Sequence, residues 1–249
     1  MKIKKIEVGD VFPTNEGGSV AVVEYMAWDK IVVRHIDNHG HLSIVRSGHL
    51  IRGKVKNPFW PSVFGSGYLG VGVYRCREAG KLTPAYRSWS DMLQRCYGVS
   101  CQARCPTYVG CTVADEWHNF QVFAEWFYRQ AFGMVKGFAL DKDLIVFGNK
   151  NYSAQTCSFV PQSVNKLLLD SGAARGNLPQ GVRAHRKQFV ARAYLDGKAC
   201  HLGTHITPEA ASRAYVIGKE LIVKAVAEKW KDFLHPEVYK NLCTWEVSQ

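Results

Sequence analysis

The hydrophobic period of this chain changes along its length, and those changes constrain the fold more than any other feature. Over residues 19–26 and 30–37, Val and Ile recur in alternating or near-continuous runs, as strands with one or two buried faces require. Trp89, Met92, Leu93 and Cys96 then stand at i, i+3, i+4 and i+7, one face of a helix. Strand-like runs return between residues 181 and 202, and a helical stripe of small residues follows. Strands and helices sorted in this way predict an α+β fold.

Turn signals divide the chain further. Asn-Glu-Gly-Gly, Trp-Asp and Asn-His-Gly separate expected strands at 5–12, 19–26, 30–37 and 41–46, which predicts a small β-barrel over residues 1–56. No catalytic constellation falls there, and the barrel could take DNA or a protein partner. Residues 57–85, rich in Pro, Gly and aromatic side chains, read as a connector packed against its neighbours. In residues 86–171 the helix around 89–96 is followed by another near 116–130, whose Phe120, Phe123, Trp126 and Phe127 suit a core face. A strand at 138–146, a loop at 147–152, a strand at 157–160 and a helix at 161–169 that begins with proline come next.

Residues 172–249 form the last segment, with strands expected at 181–185, 189–195 and 198–202. Asp196-Gly197 is the strongest hairpin signal in the chain. Thr207 suits an N-cap, Pro208 the first helical position and Glu209 the positive end of the dipole. The helix should run to about Trp230, with Ala211, Ala214, Gly218, Leu221 and Ala225 lying against the three-stranded sheet.

Charge narrows the choice of partner. At 249 residues the chain allows one large domain or two to three small ones, given roughly 100–200 residues per domain. Thirty-two Lys and Arg against 21 acidic residues give a net charge of +11, which favours a polyanion such as nucleic acid or an acidic membrane surface. Between residues 175 and 205 six basic residues face one acidic residue, Asp196. The stretch 57–74 lacks charge, but Pro58, Pro61, Gly65, Gly67, Gly70 and Gly72 interrupt it, so no membrane span is expected. The basic N-terminus leads into no apolar run, which points to a cytoplasmic protein. The eight cysteines are accordingly expected to be thiols or metal ligands. Cys96, Cys101, Cys105 and Cys111 are spaced by four, three and five residues, looser than zinc knuckles, while Cys96 and Cys157 fit apolar faces; structural zinc is not expected.

Several motifs act in combination. Trp-x-x-Met-Leu-x-Arg-Cys-Tyr stands at 89–97, Pro-x-Tyr at 106–108, Val-x-x-Glu-Trp at 113–117 and Phe-x-x-Phe-x-x-Trp at 120–126. Leu140-Asp141-Lys142-Asp143, Tyr152-Ser153 and Cys157-x-Phe159-Val160 follow, then Asn165. Over about 80 residues this pattern resembles the HNH endonucleases of phages and bacteria. The resemblance implies a ββα unit in which Asp141 and Asn165 hold one Mg²⁺ or Mn²⁺ against the scissile phosphate of duplex DNA. A hard cation that keeps several waters accepts so sparse a set of oxygen ligands. Asn151 would pin the intervening loop by side-chain hydrogen bonds.

Where the family places its general-base His, this chain has Lys142, which with an ordinary pKa near 10.4 stabilises negative charge but does not deprotonate water. Three routes around this are burial that lowers the Lys142 pKa, His118 reaching in, and a nucleophile activated by the metal. The alternative is that Asp141 and Asp143 only cap a turn and the scaffold binds DNA without cutting.

Gly181-Val182-Arg183, Phe189-Val190-Ala191-Arg192, Gly197-Lys198, His201-Leu202-Gly203-Thr204 and Glu209-Ala210-Ala211 with Ala214-Tyr215 resemble the APETALA-type DNA-binding domain. That implies a sheet laid in the major groove and braced by the helix. Arg183 with His185, and Arg192 with Tyr194, share a face by strand alternation and are the expected base readers. Arg186, Lys187 and Lys198, in or beside turns, are expected at phosphates, and Arg175 lies in the same basic stretch. The sequence therefore predicts a metal-dependent DNA endonuclease targeted by its C-terminal module, with a non-cleaving DNA-binding protein as the alternative. A third class is an interaction protein acting through the barrel.

Overall fold

A computed structural model describes residues 5–37, 39–168 and 177–247. Its N-terminal strands, β1 (Val11–Pro13), β2 (Ser19–Ala27), β3 (Lys30–His35) and β4 (Leu42–Val45), pair antiparallel in sequence order. Period-2 alternation sends Val20, Val22, Ile31 and Val33 inward. The expected strand at 5–12 starts only at Val11, because Gly9 turns the chain at φ +90° and the Asp10 carboxylate accepts the Glu7 N–H at 3.0 Å. The barrel is not closed: among the described residues no pairing joins β1 to β4. Leu50 on α1 (Ser47–Ile51), with Ile6 and Val55, covers the inner face instead.

The connector is packed, as its composition predicts. Tyr68 N–H donates to the His118 carbonyl and Phe120 N–H to the Tyr68 carbonyl, both at 2.9 Å. Gln121 brackets Tyr74, accepting its N–H and donating to its carbonyl at 3.0 Å each. A short hairpin of β5 (Arg77–Glu78) and β6 (Lys81–Leu82) leads into α2 (Pro84–Tyr97), capped by the Thr83 hydroxyl and opened by Pro84. Then come α3 (Val99–Arg104), β7 (Thr112–Val113) and α4 (Phe120–Arg129). The helix expected over 116–130 is split into a 3₁₀ turn at Asp115–His118 and α4, because Asn119 leaves the helix to cap it. Trp89, Met92, Leu93 and Cys96 of α2 bury against Phe120, Phe123 and Phe127 of α4, and the Trp89 indole N–H donates to the Trp117 carbonyl at 2.7 Å.

Next come β8 (Phe138–Asp141), β9 (Asn151–Tyr152), β10 (Ser158–Pro161) and α5 (Gln162–Asn165); β8, β10 and α5 make a ββα unit in which β8 pairs with β10, while β9, in the loop between them, runs parallel to β7. The first strand stops five residues earlier than expected, and α5 is one turn with Pro161 as its N-cap. Cys157 packs in the α2/α4 core, and burial pushes its thiol up to about 12 from an ordinary 9.0. Its contribution to stability is complete below pH 9 and is lost as pH rises toward 12. Urea titrations across that window are expected to show the unfolding free energy falling by up to about 1.4 kcal/mol per pH unit for this thiol. Cys157→Ala should remove that part of the slope.

Residues 177–247 bring β11 (Val182–His185), β12 (Gln188–Leu195) and β13 (Lys198–His205), an antiparallel sheet in that order, then α6 (Pro208–Trp230) and α7 (Pro236–Cys243). Thr207 and Pro208 open α6 as predicted. Its first half backs the sheet through Ala211, Ala214 and Tyr215, where Gly181 sits at φ +73° with no room for a side chain: a Cβ would lie 1.9 Å from the Tyr215 ring. Gly181→Ala is expected to cost about 2–4 kcal/mol in denaturant titration, from left-handed strain plus overpacking.

The expected small-residue stripe does not continue. Leu221 and Ala225 are exposed, because α6 changes partner halfway along. Val223, Val226 and Ala227 share a core with Val160, Val164 and Leu167 of the ββα segment and with Val238 and Leu242 of α7. The boundary expected at residue 171 therefore does not divide the core. None of the described helices is long and apolar enough to cross a membrane.

Candidate functional site

Strand register explains how two residues 24 positions apart come to line one cavity. Asp141 ends β8 opposite Ser158, the first residue of β10, and β10 runs back along β8 before Pro161 turns the chain into α5. Asp141 and Asn165 consequently line the same cavity, of about 760 Å³. Arg95, Tyr108, Lys142, Asp143 and Tyr152 line it as well, and the C-terminal residues Asn241, Trp245 and Glu246 form another wall. Asn241 fixes that wall by donating to the Leu144 and Ile145 carbonyls at 2.9 and 2.8 Å.

Asp141 also makes the turn that ends its strand. Its Oδ1 accepts the N–H groups of Asp143 at 2.9 Å and Leu144 at 2.8 Å. Burial, and then the neighbouring charge of Asp143, push its carboxyl up to about 6, although those two hydrogen bonds pull the other way. Two carboxylates and an amide oxygen lining one cavity are hard donors of the kind Mg²⁺ or Mn²⁺ accepts. No group of three or more His, Cys, Asp or Glu suited to a metal occurs among the described residues.

Lys142 is a latch. Its Nζ donates to Asp143 Oδ2 and to the Asn149 carbonyl, each at 2.9 Å. Burial alone would lower its pKa, but the hydrogen bond and charge of Asp143, with Cys111 and Asp141 behind them, hold it above the ordinary lysine value. That direction runs against the first route around the missing histidine, burial that lowers the Lys142 pKa. His118 is held elsewhere, with Nε2 2.9 Å from the Tyr97 hydroxyl, and does not line the cavity.

Asn149, not Asn151, pins the loop. Its Nδ2 donates to the Lys142 and Asn151 carbonyls at 2.7 Å each, and its Oδ1 accepts the Asn151 N–H at 3.1 Å. Asn151 takes part through its backbone, as an exposed residue of β9. Both asparagines flank Lys150, and spacing alone gives no preference between them. Arg95 was also missed as a site residue, although it stands within the α2 motif. Its guanidinium lies 5.7 Å from the Tyr108 ring centroid and bonds the Tyr152 side chain, which holds a cation at the cavity wall.

In the C-terminal sheet, Val182, Ala191 and Ala193 turn toward α6, while Arg183, His185, Arg192 and Tyr194 are exposed. Arg192 stands opposite His201 and Tyr194 opposite Ala199 across β12 and β13. Arg186 and Lys187 make the two-residue turn into β12, Arg186 at φ +53°, and Lys198 follows the Asp196-Gly197 turn, where φ is +50° and +78°. Arg175 lies outside the described residues. Of the four grouped cysteines, Cys96 and Cys111 are buried, Cys101 half-buried and Cys105 exposed. Comparison of the chain with protein-family models, curated proteins and solved structures finds no match.

Proposed function

We propose that the protein is a metal-dependent DNA endonuclease of HNH type whose C-terminal sheet selects the site. The observation that carries this reading is the convergence of Asp141 and Asn165 on one cavity beside two fixed cations, Arg95 and Lys142. In this reading Asp141 and Asn165 hold Mg²⁺ or Mn²⁺, which supplies Lewis-acid charge to the scissile phosphate. Arg95, braced by Tyr108 and Tyr152, orients the phosphodiester through its guanidinium fork. Lys142 keeps its proton and offsets the negative charge that builds on phosphorus.

Supercoiled plasmid incubated with Mg²⁺ or Mn²⁺ is expected to be nicked, and neither EDTA-treated protein nor Asn165→Ala should nick it. The latched Lys142 favours a second reading, a duplex-binding protein that does not cut. Binding without nicking in either metal would select that reading. The sheet is proposed as the DNA-reading surface in both.

A further inference from the structure

We infer that one duplex engages the sheet and the cavity together, so that the phosphodiester bond presented to Asp141 and Asn165 lies at a fixed distance from the sequence the sheet reads. This rests on the proposed function and adds the geometry of its substrate. The first observation is α6, a single 23-residue helix of about 35 Å at 1.5 Å per residue. Its first half is the back of the sheet and its second half is core of the ββα unit, so the helix is a strut between reading surface and cavity. Where it changes partner, the buried Lys219 donates to the Leu167 carbonyl at 2.6 Å. Farther along, Lys229 reaches Asp196 in the β12–β13 turn at 3.5 Å.

The second observation is the surface between the two places. One side of α5 gives Asn165 to the cavity. Gln162, Ser163 and the following Lys166 line a groove of about 560 Å³ together with Tyr194, Asp196 and Gly197 of the sheet. Tyr194 is also on the exposed face with Arg192. Groove and cavity thus both draw on α5 and its C-cap, and Lys166, an exposed cation lining the groove, is suited to an intervening phosphate.

The test uses the full-length protein and a duplex selected for binding from a randomised library. Wild type is expected to cut at one fixed offset from the selected sequence, on one side of it. Cuts scattered over several base pairs would overturn the inference. Footprinting separates this from the nuclease reading, since it needs no cleavage. Protection should extend past the selected sequence on one side only, and Lys166→Gln should shorten it and reduce the slope of log K against log salt by about one. A footprint confined to the selected sequence overturns the inference even if DNA is cut. A one-sided footprint without cutting upholds the shared surface and removes the endonuclease.

Discussion

Asp141→Asn is expected to lower metal-dependent nicking by more than about 100-fold while leaving the fold as stable as before. Losing a group that merely orients a metal ligand costs about 10–100-fold, so losing the charge of the ligand itself should cost more. The choice of asparagine matters because Asp141 has two duties. Its Oδ1 accepts the Asp143 and Leu144 N–H groups and so ends β8, and an amide oxygen can still do that. Alanine would orphan both donors, at about 1–3 kcal/mol each where they are buried, and would confuse lost folding with lost chemistry. Asparagine also removes one of two neighbouring carboxylates whose repulsion raises the Asp141 pKa. Thermal unfolding should therefore show an equal or higher midpoint. Undiminished nicking by a folded Asp141→Asn protein would remove Asp141 from the chemistry and leave it only as the cap of a turn.

The contrast between Asp141 and Asn149 shows how far the sequence could be read. The return path from Asp141 to Asn165 was legible, because strand, loop, strand and helix must bring a 24-residue excursion back on itself. The hairpin at Asp196-Gly197 and the start of α6 at Thr207-Pro208 were equally so, since turn and cap chemistry is local. What depends on distant contacts was not. Which of two asparagines pins a loop is decided by the carbonyls that surround it. Likewise, α6 turns Leu221 outward only because the ββα unit, more than 50 residues upstream, claims Val223, Val226 and Ala227. The second to fourth N-terminal strands were placed nearly right, but the first was not, nor was closure into a barrel, because Leu50 on a five-residue helix takes the place of strand pairing.

Arg183→Ala combined with Arg192→Ala is expected to weaken binding to the selected duplex by about 30- to 10⁴-fold at fixed salt. Each arginine paired bidentately with a guanine edge contributes roughly 1–3 kcal/mol of discrimination, and a tenfold change in affinity corresponds to about 1.4 kcal/mol. Both side chains are exposed on the face away from α6, so their removal should change stability by no more than about 0.5 kcal/mol. Arg186→Ala and Lys198→Ala provide the contrast. They lie at the turns that end the strands, where contact with phosphates would weaken binding to every duplex alike and reduce the salt slope by about one each. Measuring all three variants against the selected duplex and a scrambled one separates the roles. A double variant that loses equally on both duplexes would make Arg183 and Arg192 backbone contacts, and sequence reading would then have to move to other exposed residues of the sheet, His201 and Tyr194 among them.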